Sequence, residues 1–352
     1  MAIVQVSRIT NRKGLSENLP QLAGAEFGWV IDQRKLYIGN GTIADGAPAI
    51  GNTEVLTEYS DILSLGTSYT YKGQHAGYTV QTGPTSGDAV TQTLQAKLDN
   101  FASVLDFGAT GDGVTDDTDA INRALFQLFC VQTNTTIRRS LYFPGGTYRI
   151  TNSIKVPPFA KLYGDGPDSA ILEMDVSSDS SYGAYVIRTA DSLQQTGVNI
   201  GSNSATPPRD IVITGMSFTS KEPIDLVLID RAEGVSISNC NFKGSLSSAP
   251  ANASDNIAGL RFDSTASNTC KQIEINNCKF SLMTYALNTD ENIQGVTVQN
   301  SQFTDMYQGI LLGTGTPDNG GPEGVRIVQN LFDEVAKQAI SIGAVAFNAS
   351  AY

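Results

Sequence analysis

The chain has 352 residues, a formal net charge of −12 and only 16% charged residues, with Gly, Ser, Thr, Asn and Gln spread throughout. That balance suits a mainly β, turn-rich protein of two or three domains. It disfavours nucleic acid as a partner, since phosphate contacts need clustered cations, and no apolar stretch is long enough to insert in a membrane.

Residues 1–63 read as a small β domain. The opening "MAIVQVSRIT" carries no long apolar run of the secretory kind. In "FGWVIDQRKLYIGNG", Phe27, Trp29 and Ile31 alternate, as do Leu36 and Ile38, so the stretch predicts strand, turn, strand. Gly39, Asn40 and Gly41 supply turn chemistry. From Leu19 to Leu63 the order GW, D, LYIGNG, G-A-P, GNTE resembles the N-terminal module of bacteriophage tail spikes and tail fibres. The resemblance implies that residues 1–63 anchor the chain to the virion tail, on portal-proximal or baseplate proteins.

Residues 64–100 read as a connector and neck. The segment around "GPTSG" breaks regular structure. In "TQTLQAKLDNF", Leu94, Leu98 and Phe101 fall on one stripe of a short helix, placed to dock or to meet its own copies. His75, the single histidine, sits in a Gly/Tyr/Gln-rich stretch and is set aside as a catalytic base.

"FGATGDGVTDDTDAI" imitates a phosphate-binding loop, but Asp112, Asp116 and Asp117 crowd the place a pyrophosphate would need. The reading is structural instead. Gly108, Gly111 and Gly113 turn the chain, and Thr115 or Asp116 caps a helix. That helix buries Ala120, Ile121, Ala124, Leu125 and Leu128. The aspartates do not fit EF-hand spacing. With one histidine and four cysteines (Cys130, Cys240, Cys270, Cys278) lacking CxxC spacing, the expectation is buried free thiols, no metal and no cofactor. This stretch, with "FPGGTYRI" and "LYGDG" downstream, resembles the opening of the pectate-lyase-like right-handed β-helix superfamily, in which the helix caps the solenoid.

Residues 101–352 then repeat one sentence: "IVITGMSF", "VSISNCNF", "IEINNCKF", "VTVQNSQF", "VRIVQNLF". Paired apolar positions two apart mark strands, and recurrence marks a solenoid. Stacked coils put Phe218, Phe242, Phe280, Phe303 and Phe332 in one column. Asn239, Asn277 and Asn300 should turn a left-handed corner and bond to one another along the axis. Cys240, Cys278 and Ser301 fill a small inward site. "GSLSSAPANASDN" bulges from one corner as a loop. "QAISIGAVAFNASAY" begins a further coil, which predicts that the solenoid continues beyond this chain or is covered there.

No GxSxG, HExxH or Walker loop occurs. Paired carboxylates are the remaining chemistry. "LVLID" and "LRFD" place Asp230 and Asp263 at equivalent corners, with Asn288 next in line; an Asp before a turn also simply caps it and faces water. Asp225, Asp290 and Glu291 are outlying candidates. Tyr285 and Tyr307, with Tyr182 and Tyr185 in an insertion, are the rings on which a sugar could stack, unless they pack into the core.

The reading is a small N-terminal β domain, a short neck helix, and a right-handed parallel β-helix with an N-terminal capping helix. The resemblances imply a homotrimeric tail spike or tail fibre. It would be made in the host cytoplasm, carried on the virion tail, and would meet host surface polysaccharide at the bacterial surface. Two functions stay open: a depolymerase using Asp230 and Asp263, or a purely structural anchor portion. A cellular pectate-lyase-like enzyme is a third, for which the N-terminal module would have no purpose.

Overall fold

The structure, a computed structural model, describes residues 12–47, 50–59, 68–70, 83–85, 90–93, 97–98, 100–131, 140–175, 185–190, 195–196, 199–200, 208–248, 250–253, 256–264, 269–289, 293–313 and 322–342. His75, Leu94, Tyr182, Asp290, Glu291 and residues 343–352 lie outside them. The chain divides into two units, Met1–Asn100 and Phe101–Tyr352.

In the first unit a four-stranded sheet runs Arg12–Gly14, Phe27–Val30, Lys35–Gly39, Asn52–Val55. Phe27–Val30 and Lys35–Gly39 form the expected antiparallel hairpin. Its inward face is not the one the aromatic alternation suggested: Val30 is buried, whereas Phe27 and Ile31 are exposed. Gly28 explains the reversal, because the two Leu22 methyls lie 3.0 and 3.3 Å from where a Cβ would stand. The turn between these strands uses Arg34, at φ 54°, and in the Gly39-Asn40-Gly41 turn that follows them it is Gly41 that is left-handed, at φ 83°. Gly39 ends a strand where the Ala23 carbonyl would lie 2.0 Å from any Cβ.

Of the neck helix, only Lys97 and Leu98 are described as helical. Thr91–Thr93, expected as its first turn, is a strand paired antiparallel with Ser68–Thr70, consistent with the extended preference of β-branched threonine. Leu98 and Phe101 are both exposed.

The second unit is a parallel β-helix with three faces. The first face is an eight-stranded parallel sheet, from Ala102–Ser103 and Leu141–Phe143 through Lys161–Gly164, Arg209–Thr214, Glu233–Ser238, Cys270–Asn276 and Ile293–Gln299 to Arg326–Val328. The second face runs from Asp112–Asp116 through Gly146–Ile150, Ala170–Met174, Ser217–Ser220 and Asn241–Lys243. The third holds Ile154–Val156, Ile187–Thr189, Val227–Asp230 and Ala258–Asp263. From Lys279–Thr289 onward the second and third faces fuse, and Gln302–Leu312 and Leu331–Ile342 follow as long bent strands. Leu282, Asp305 and Glu334 take left-handed backbone at the bend.

Each face contributes an in-register interior column, because equal residues stack when parallel strands repeat about 4.8 Å apart. Ile213, Ile237, Ile275, Val298 and Ile327 line the first face. On the second, the rings of Phe218, Phe242, Phe280, Phe303 and Phe332 stack with centroids 4.6–5.2 Å apart. Each such pair adds about 0.5–1.5 kcal/mol beyond its burial. Small residues flank the column. At Gly309 a Cβ would stand 2.8 Å from the Phe332 ring and 2.3 Å from the Ala339 carbonyl.

The corner between first and second faces is left-handed in every copy: Gly215, Asn239, Asn277, Asn300 and Gln329 have φ of 71°, 52°, 53°, 52° and 55°. The amide ladder is shorter than expected. Asn277 Nδ2 donates to Asn239 Oδ1 at 2.6 Å. Asn300 instead donates to Asn276, at 3.1 Å, because two consecutive asparagines offer the coil above two acceptors. The inward site holds Met216, Cys240, Cys278, Ser301 and Asn330 in turn. Asn330 accepts from Ser301 N and donates to Val298 O, so the amide satisfies backbone where two of the earlier copies place a thiol.

At the opening end, the helix Thr118–Leu125 continues as a π-turn over Phe126–Cys130 and buries Ala120, Ile121, Ala124, Leu125 and Phe129. Leu128 is only partly buried. Thr115 lies in the strand Asp112–Asp116, and the N-cap position falls to Asp117, whose side chain does not bond the helix. Asp116 Oδ1 accepts from Thr118 N instead. Asp117 accepts from Thr110 N and Gly111 N, so backbone donors of the glycine loop are already taken. Asn122 Oδ1 accepts from Lys155 N, which closes the first strand of the third face. At the other end Leu331–Ile342 pairs, among the described residues, with Gln302–Leu312 alone, and Leu331 and Ile340 are exposed.

Candidate functional site

The third face ends in a charged corner. Val227–Asp230 and Ala258–Asp263 are adjacent parallel strands with Asp230 directly opposite Asp263. The chain leaves the first of these strands through Arg231, in left-handed backbone at φ 48°. That turn swings the arginine back onto its neighbour. Arg231 donates to both Asp230 oxygens, at 2.5 and 3.1 Å, and Arg188, one coil earlier, donates to Oδ2 at 3.1 Å. Thr189 holds the Asp230 backbone, accepting from its N–H at 2.8 Å. Asp230 is thus buried between two guanidiniums, a charge-assisted arrangement that fixes a carboxylate in place. The carboxylate correspondingly raises the Arg231 pKa.

Asp263 differs. It is exposed as a residue, and no hydrogen bond to its carboxylate is formed among the described residues. Burial of part of the group, then the negative charge of Asp230, raise its pKa, against the opposing pull of Arg231 and Arg188. The strands that carry them lie one spacing, about 4.8 Å, apart, so a carboxyl group held by two arginines adjoins one that is unheld and has its pKa raised. That difference is what acid–base work on a glycosidic bond needs.

Asn288 is not next in that line. It stands opposite Arg261, and Thr289 opposite Phe262. The long strand Lys279–Thr289 keeps Phe280 in register with Phe242, and that fixes where its far end falls. Asn288 is buried, with Oδ1 unpaired among the described residues. Asp225 is bound to Arg261 through both oxygens and accepts from Ala258 N, so it ties two coils together. Tyr285 and Tyr307 are half-buried and not equivalent: Tyr285 lies opposite Gln308. Tyr307 carries the Lys337 ammonium 5.4 Å from its ring centre. Tyr185 is half-buried near this corner, and burial raises its pKa.

Arg188, Arg231 and Arg261 were missed in the sequence. Arg231 had a signal, adjacency to Asp230. Arg188 had none, being 42 residues away from its partner. All four cysteines are free, three buried and Cys130 half-buried. Among the described residues no group of three or more His, Cys, Asp or Glu side chains could hold a metal ion, and no helix is long and apolar enough to cross a membrane.

The family described as rhamnogalacturonase A/epimerase, pectate lyase-like, matches residues 101–313. A glucan 1,3-beta-glucosidase of Cochliobolus carbonum is 37% identical over 84 residues, 24% of this chain and 9% of that protein. The pre-neck appendage protein of Bacillus phage phi29 is 34% identical over 86 residues, again 24% of this chain and 9% of its own length. The match thus spans under a tenth of either relative. Among solved structures, the N-terminal fragment of bacteriophage phi29 gene product 12 is 17% identical, with a TM-score of 0.43 over 68% of this chain and 42% of that one. The phiAB6 tailspike, solved with oligosaccharides of Acinetobacter baumannii surface polysaccharide, is 15% identical, with a TM-score of 0.48 over 96% and 61%. These two likenesses extend no further than the fold.

Proposed function

This chain belongs to the rhamnogalacturonase A/epimerase, pectate lyase-like family, and we propose that it is a bacteriophage tail appendage of the tail-spike kind. Its N-terminal unit attaches to the virion tail, and its β-helix, in a homotrimer, meets host surface polysaccharide. The carrying observation is the union in one chain of a separate N-terminal β unit, with its "LYIGNG" hairpin, and a helix-capped parallel β-helix. The stretch shared with the phage pre-neck appendage protein, 86 residues, supports the same reading, although the glucan 1,3-beta-glucosidase shares one of 84 residues. The N-terminal unit is what separates the two. Antibody raised against the chain should label particle tails in lysates of the encoding phage; label absent from particles contradicts the proposal.

The Asp263 carboxyl favours a second step, cleavage. In that reading Asp263 donates its proton to the leaving glycosidic oxygen, and a water then adds to the anomeric carbon of the sugar cation and returns its proton to Asp263, while Asp230, held by Arg188 and Arg231, lines the opposite side of the corner. Tyr285 and Tyr307 are the rings offered to the saccharide. The purely structural anchor remains the competing function, and it predicts no release of new reducing or unsaturated ends from host polysaccharide.

A further inference from the structure

The outer side of the second face carries a groove of about 440 Å³. It crosses successive strands, so it runs along the solenoid axis. One column of its floor is Thr147, Ile171, Ser217, Asn241 and Lys279, each opposite the next. The parallel column is Glu173, Thr219, Lys243 and Ser281. Pro167 and Asp168 form a wall, which the floor fastens in place. Ser217 Oγ donates to the Pro167 carbonyl, and Asn241 Nδ2 donates to Asp168 Oδ1 at 3.3 Å.

The charges in this groove are unequally committed. Asp168 is bound by Asn241, and Glu173 pairs with Lys221 at 3.5 Å. Lys221 in turn bridges to Asp175, which Arg149 also holds. Lys243 and Lys279 sit on adjacent strands at the other end, both exposed, and neither forms a salt bridge among the described residues. On a chain of net charge −12, two adjacent uncommitted cations beside a strip of hydroxyls are unusual chemistry. Serine and threonine hydroxyls both donate and accept, which suits sugar hydroxyls. Lysines at the end of the strip suit an anionic substituent.

Resting on the tail-appendage reading above, we infer that this groove binds an extended, carboxylate-bearing polysaccharide, its hydroxyls along Thr147, Ser217, Thr219 and Ser281 and its acid group at Lys243 and Lys279. The site is separate from the Asp230–Asp263 corner, which lies on another face.

The test measures binding of the full-length protein to capsular polysaccharide purified from the bacterium its phage adsorbs to, before and after chemical reduction of the polymer's carboxyls. Two exposed charge contacts together correspond to roughly tenfold in affinity. Lys243→Glu with Lys279→Glu should therefore weaken binding by about that factor or more, with an unchanged melting temperature, and carboxyl reduction should weaken wild-type binding similarly. Wild-type binding that neither change weakens overturns the groove while leaving the tail-appendage reading standing. Failure of the wild type to bind the polysaccharide at all overturns both.

Discussion

Two corners of the β-helix are turned by similar backbone and written in different languages. The corner between the first and second faces uses Gly215, Asn239, Asn277, Asn300 and Gln329, all left-handed and all followed by a residue that plugs one interior slot. The corner after the third face is left-handed at Arg231 as well, yet its contacts do not recur: Asp230 meets two arginines, whereas Asp263, opposite it, hydrogen-bonds to none among the described residues. Where coil after coil must solve the same packing problem, the residue type repeats. Charges that are buried in one coil only answer to something other than the stack.

The comparison can be broken most forcefully from the repeating side. Phe280→Ala empties a slot between two stacked rings and should cost about 3–5 kcal/mol, read as a fall in the thermal unfolding midpoint; a loss below 1 kcal/mol would mean the column is not continuous. Arg231→Ala removes one of the two clamps on Asp230 and should cost about 1–3 kcal/mol, less than the ring because Arg188 remains. Asn277→Ala forfeits the amide bond to Asn239 and loses asparagine's tolerance of left-handed backbone, for about 1–2 kcal/mol, whereas Asn277→Gly should cost less, since glycine pays no left-handed penalty. Equal losses for the two would locate the effect in the amide alone.

The smallest effect has the opposite sign. Asp263 has its folded pKa raised, mainly by burial, so its ionised form is less comfortable folded than unfolded. Relative stability from this group is fully present below the unfolded value, about 3.9, and is lost as pH rises through the higher folded value. Asp263→Asn should therefore melt slightly above wild type at neutral pH, and the difference should vanish in acid. Asp112 runs the other way. Hydrogen bonds from Thr115 and Val114 N–H hold its pKa down to about 2. Its contribution is present above about 3.9 and is lost as pH falls toward 2, so Asp112→Asn should remove part of the acid sensitivity of the capped end.

The fold was legible where side chains repeat. Five phenylalanines at one point of a recurring phrase can only be reconciled by stacking, and the capping helix announced itself by its apolar stripe. A second left-handed column, Asp210, Gly234, Gln272, Gly295 and Gly324, was not read from the sequence, because Asp210 and Gln272 interrupt its three glycines. The candidate site was half legible. Asp230 and Asp263 follow matching strands, but their electrostatics depend on Arg188, placed beside them only by winding. Asn288 was misplaced for the same reason: its register is set by a ring in another column. The hairpin of the first unit misled through Gly28, whose missing side chain lets leucine methyls cover the face opposite the aromatic one.

The most direct test of the contrast between the two corners uses one substrate and two proteins. Wild type and Asp263→Asn, each shown to be folded by a cooperative melting transition, are incubated with purified host polysaccharide, and new reducing or unsaturated ends are counted. The account predicts steady release by the wild type and none by the variant, although the variant melts no lower. Equal release by both, or none by the wild type, contradicts it.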